Sequence, residues 1–197
     1  MKVTRLLTLN YRLNTPGLAS SILLLYTAIS NSPWWRIVGG VGGEHTFSAE
    51  VSPFSIVVEV LGKPVTIPIL FYLNMAARIN ILLAAVTTLV GSLLADKQWS
   101  KPLISLRGLV LPVLFLAGLS ITLSLAKTLA GVSLPLIGGS IIEYTTSYGG
   151  LRVSAETPVE ATLTQEYWVA LAAGASSALA RAIHGRIATK RRGATTT

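Results

Sequence analysis

Few residues in this chain have the type and spacing to do chemistry. His45 stands beside Glu44, with Glu50 and Glu59 in the same polar segment, and this is the only grouping of imidazole and carboxylates that suggests metal binding or acid–base catalysis. One histidine and scattered carboxylates in a loop lack the ligand spacing of a zinc site, so they read as a solvated acidic surface. His184 falls at the end of an apolar run, where an imidazole makes a favourable contact with a helix C-terminus. The 197 residues include no cysteine, which excludes disulfides, thiolate metal sites and thiol catalysis. No catalytic residue, metal or cofactor is expected, and the chain does not read as an enzyme.

The elements that position these residues are apolar. Composition is 51% hydrophobic and 12% charged, about half the roughly 25% charged fraction of a soluble domain. The organising stretch runs from Leu73 to Ala95 and carries one charge, Arg78, near its start. About 20 such residues at 1.5 Å each cross a hydrocarbon core of about 30 Å. Spans are expected at about 14–35, 68–95, 108–132 and 167–185, with Thr15 and Pro16 as the start signal of the first. A basic start, an apolar core and the small residues Ala28, Ser30 and Ser32 also fit a signal peptide, but the run is read as a retained span. Pro112 and Lys127 lie in the third span, where neighbouring helices and snorkelling accommodate them.

Charge sets the orientation. The net charge is +8, yet the basic residues gather before the first span, in the connection at 96–107 (Lys97, Lys101, Arg107) and in the tail at 186–197. The outer loops 36–67 and 133–166 hold almost all the acids. Excess Lys and Arg marks the cytoplasmic side, so both termini are expected there, in a multi-pass protein of the cell membrane. The basic tail is read as a topology determinant or lipid-headgroup contact, not as a nucleic-acid site.

The outer loops change period. Phe47, Ala49 and Val51 alternate with Thr46, Ser48 and Glu50, and Ser55 to Val60 is rich in β-branched residues. Leu151, Val153 and Ala155 alternate with Arg152, Ser154 and Glu156 after the pair Gly149 and Gly150, as in a hairpin. The fold expected is an integral membrane α-helical protein: a left-handed bundle of four transmembrane helices with a small extracellular antiparallel β-sheet made from both outer loops. Ala170, Gly174 and Ala178 repeat at four-residue spacing and form a helix-packing face. Trp34 and Trp35 fall at the outer interface, where indoles are favoured. Arg78, with Trp34, Trp35 and Arg36, is expected to anchor the sheet, Arg78 by bonding loop carbonyls or a carboxylate such as Glu59 or Glu166.

Several of these stretches resemble the claudin family and its peripheral-myelin and channel-auxiliary relatives. PWWRI resembles the claudin Pro-x-Trp-Arg-Val sequence that leads into the extracellular sheet, and MAARINILLAAV resembles the Ala-Ala-Arg start of the second helix. GLVLPVLFLAGLSITL resembles the third helix and YWVALAAGASSALA the fourth. The family's Gly-Leu-Trp motif and cysteine pair are missing, and the cluster Gly39 to Gly43 stands in that part of the chain. The resemblance implies self-association, cell-surface adhesion or barrier formation through the sheet, with Glu44, Glu50 and Glu59 setting the charge of a pore or surface between subunits. Its partners would be the lipid bilayer and further copies of the chain. The alternative is an accessory structural subunit of a larger membrane complex, such as a respiratory enzyme, channel or transporter.

Overall fold

The computed structural model describes residues 13–41, 44–65, 68–148 and 151–189, with backbone alone at 41, 44–45, 98, 130, 144–148, 151–155 and 185–189. In chain order the elements are α1 (Thr15–Ile29), β1 (Trp35–Val41), β2 (Glu44–Ser52), β3 (Ser55–Val60), β4 (Lys63–Val65), α2 (Pro68–Leu93), a 3₁₀ helix (Gln98–Leu103), α3 (Arg107–Ala130), β5 (Gly138–Tyr148), β6 (Leu151–Leu163) and α4 (Gln165–Thr189). They form two compact units, one of Met1–Ser30, Ala76–Val113 and Trp168–Thr197, the other of Asn31–Met75 and Leu114–Tyr167.

The first unit is helical, and its helices touch through small residues. The α1 cap is Asn14, one residue earlier than Thr15, and its side chain accepts from Gly17 N. Gly17 lies against Ser92 of α2 and Ala180 of α4, and Gly174 of α4 lies against the backbone of Gly108 and Leu109 in α3. Such close approach lets hydroxyls reach the next helix's backbone. Ser20 Oγ donates to Ala173 O at 2.8 Å, Ser21 Oγ to Ala85 O at 3.0 Å and Asn14 Nδ2 to Ala180 O at 2.8 Å. Of the expected packing face, Ala170 and Gly174 are buried and Ala178 is half-buried.

The link between α2 and α3 folds back along α2. Ser105 N donates to Thr88 Oγ1 and Arg107 Nη1 to Asn80 Oδ1, both at 3.2 Å. Gly91 lies within contact of Leu103, Ile104 and Ser100 O. At 1.5 Å per residue, α3 therefore begins roughly 10 Å up α2 from its end.

The second unit holds a six-stranded antiparallel sheet in the order β4-β3-β2-β1-β6-β5. Its register sends Trp35, Ile37, Ala49, Val159 and Ala161 to one face, where Leu119 of α3 completes a core flanked by Phe115 and Leu123. β1 pairs with β2 through a register shift at Gly39/Gly40. Gly39 is required there, because a Cβ would come within 2.7 Å of Val159 Cγ1. β3 and β4 join through Leu61 and Gly62, both at positive φ (51° and 70°), the backbone that a two-residue hairpin turn demands.

A bundle of four transmembrane helices does not form. α1 has 15 residues, about 22 Å at 1.5 Å per residue, short of the roughly 30 Å hydrocarbon core. α4 has 25 residues but is diluted by Gly, Ser and Ala and by Glu166 and Arg181. Among the described residues, only α2 and the stretch Trp99–Leu129 containing α3 are long and apolar enough to cross a membrane, and just 17% of either window is buried inside the protein. These two helices point to membrane association. The sheet is also larger than the small one expected, since Trp35–Val41, Lys63–Val65 and Pro158–Leu163 all lie in strands.

A Cβ at Gly174 would sit 2.5 Å from Leu109 Cα and 2.6 Å from Gly108 O. Gly174→Ala is expected to destabilise the protein by about 1–3 kcal/mol, because backbone must move to admit it. Gly118→Ala, with nothing within 4 Å of the new Cβ, should stabilise slightly or change nothing. Thermal melts of both variants in detergent check the contrast.

Candidate functional site

Trp34 and Trp35 are protein-core residues, 1% and 2% exposed, their indoles packed inside the protein. Trp34 is held on both sides by strand ends: its N–H donates to Val51 O, and its carbonyl accepts from Thr164 N. Its indole meets Phe54, Phe115 and Tyr167 edge-on, at centroid separations of 5.7, 5.2 and 6.1 Å. Edge-to-face contacts of this kind add about 0.5–1.5 kcal/mol each beyond burial. Trp35 faces the sheet core and donates through Nε1 to Leu136 O at 2.7 Å, which satisfies its one polar atom. The sequence PWWRI is thus the start of a central strand.

The opposite sheet face is acidic. Arg36 pairs with Glu50 at 3.2 Å, with side chains 53% and 37% exposed, a surface pair worth about 0.2–1 kcal/mol. Glu59, Glu143, Glu156 and Glu160 are exposed on the same face by register. Glu143 stands directly across from Glu156, a like-charge pairing that costs stability. Glu44 begins β2, but its side chain and that of His45 lie outside the described residues. Arg78 is half-buried on α2. Among the described residues no three of His, Cys, Asp and Glu come together as metal ligands.

In the helical unit, one serine and one histidine do meet. Ser100 Oγ is 3.2 Å from His184 Nε2, and both residues are buried. A nucleophile–base pair would need the serine proton aimed at the imidazole and a group orienting the far nitrogen. Here Ser100 Oγ has carbonyl acceptors at 2.7 Å, Leu94 O and Lys97 O, so its proton belongs to one of them. Nε2–H then donates to Ser100 Oγ, with Lys97 O at 3.4 Å. Nδ1 is buried without a hydrogen-bond partner. The contact fastens the turn after α2 to α4 from inside. Two further bonds do the same, Arg181 Nη1 to Ile104 O at 3.1 Å and Ser177 Oγ to Ser105 O. Eighty-four residues separate Ser100 from His184, and no local spacing announces their meeting.

Burial in the Trp34 cluster pushes the Tyr167 phenol above its ordinary value of 10.0. An unfolded tyrosine ionises near pH 10, so this contribution to stability is complete below pH 10 and is lost as pH rises through the higher folded value. Alkaline unfolding of the Tyr167→Phe variant is expected to be less steep with pH than that of the parent. An unchanged alkaline slope would count against the assignment. No protein-family model matches this chain, and no curated protein is a significant match to it, so its function is argued from its own geometry.

Proposed function

We propose that this is a non-enzymatic membrane protein that acts through its β-sheet, by association of copies that serves adhesion or a barrier, the role implied by its claudin resemblance. The observation that carries this reading is the open edge of the sheet. β5 has eleven residues, GGSIIEYTTSY, and among the described residues it pairs on one side only. It contains neither Lys nor Pro, the usual guards against edge-to-edge pairing. The far edge, β4, is three residues long and is guarded by Lys63 and Pro64. A long edge on one side and a blunted edge on the other favour closed pairs over open strings of copies.

Membrane attachment by α2 and α3 supports the same reading. In a membrane, the excess of Lys and Arg in the connection at 96–107 favours the cytoplasmic side for that connection. The second reading, an accessory subunit of a larger complex, draws support from α3. There Ser120, Ser124 and Thr128 line a shallow groove with Ile121 and Leu125, and such small polar faces suit a neighbouring helix.

Native mass spectrometry of the full chain in mild detergent separates these readings. Self-association predicts particles at multiples of 20.8 kDa and conversion to monomer by Ile141→Lys, which puts a lysine on the exposed edge. A monomer throughout, or a particle containing larger foreign subunits, would overturn it.

A further inference from the structure

The geometry points to the turn Lys97–Lys101 as a docking surface for anionic phospholipid headgroups, an inference that rests on the membrane reading above. The turn follows directly on the end of α2, one of the two helices fit to cross a membrane. Trp99 projects from it, 62% exposed, between the exposed Lys97 and Lys101. An indole favours the boundary between headgroups and hydrocarbon, and lysines beside it are attracted to anionic lipid. The nearby acid, Asp96, is half-buried and lies 3.7 Å from the exposed Lys97, a pair that cancels one of the two lysines at most. An acidic protein or a nucleic acid would supply negative charge, but neither explains an exposed indole next to the end of a 26-residue apolar helix.

The turn is rigid before any lipid arrives. Lys97 N donates to Leu94 O, Ser100 N to Lys97 O and Ile104 N to Lys101 O. Ser100 is turned inward, its Oγ held by Leu94 O, Lys97 O and His184 Nε2, and Pro102 fixes its own φ and restricts Lys101 before it. With Ser100 fixed inside, Trp99 and the two lysines are held outside by the backbone, so little further backbone ordering is needed on binding. This gives the buried His184 contact a role: it holds the turn from its inner side.

The test uses the full-length Trp168→Phe protein, which leaves Trp99 as the exposed tryptophan, since Trp34 and Trp35 are buried. It is reconstituted in phosphatidylcholine vesicles carrying either dibrominated phosphatidylglycerol or dibrominated phosphatidylcholine. Bromine quenches tryptophan on contact. The expected result is half-maximal quenching at a several-fold lower mole fraction of the brominated phosphatidylglycerol, on the order of five-fold per lysine, with the difference abolished by Lys97→Gln/Lys101→Gln. Equal quenching by both lipids, or a preference that survives the double variant, overturns the inference and leaves the membrane reading standing. Absence of quenching by either lipid overturns both.

Discussion

Close approach of helix backbones is the constraint on which the helical unit depends. Gly17, Gly108 and Gly174 remove the side chains that would keep α1, α3 and α4 apart. Only then can Ser20, Ser21, Asn14 and Ser177 reach carbonyls on neighbouring elements. A wider spacing would leave each hydroxyl buried without a partner, at about 1–3 kcal/mol apiece. The small residues and the polar core are therefore one device. The same logic covers hydroxyls that face outward: Ser120, Thr122, Ser124 and Thr128 each donate to the carbonyl four residues back. A helix that satisfies its own hydroxyls makes no demand on water, as an apolar surrounding requires.

The sheet is built on a different principle. Its inner face is shaped by register, with Ile37 opposite Ala49 and Ala161, so that small and large residues interlock around Leu119. Its outer face carries a like-charge pair, because Glu143 faces Glu156, and among the described residues the Arg36–Glu50 pair offsets acid on that face. In the self-association proposed above, the charged face is the less favourable contact and the β5 edge the more favourable one.

The strands were legible where side chains alternate. Phe47, Ala49 and Val51 do pair inward in β2, and Ser55–Val60 is β3 as its β-branched residues imply. β1 was hidden because it opens on the second of two tryptophans that resemble a membrane boundary and continues into glycines that resemble a loop. Gly39 and Gly40 are there for a register shift against β2 and for the room Val159 takes, the second a need set by a strand more than a hundred residues away. The hairpin glycines Gly149 and Gly150 lie outside the described residues, as does the basic tail from Lys190. The Ser100–His184 contact had no signal at all, since two isolated residues acquire meaning only when the link after α2 folds back.

The expectation of four crossings failed at α1, which is too short, and at α4, which is diluted by Gly, Ser, Ala and charge, and α3 shows what a hydropathy count leaves out. Hydropathy registers how apolar a segment is, not what its apolar faces touch. Phe115, Leu119 and Leu123, at four-residue spacing, belong to the core under the sheet. Ile121, Leu125 and Leu129 of the same helix are 61%, 51% and 82% exposed. One helix thus serves as a protein core on one side and offers apolar surface on the other, and a hydropathy window sums both. α4 shows the reverse error: its alanines, glycine and serines are low in hydropathy, yet Ala170, Ala173, Ser177, Ala180 and His184 form a continuous buried stripe. Membrane contact has to be assigned face by face, and the exposed side of α3 together with the exposed first turns of α2, Ile69, Phe71, Tyr72 and Leu73, are the faces that need an apolar surrounding.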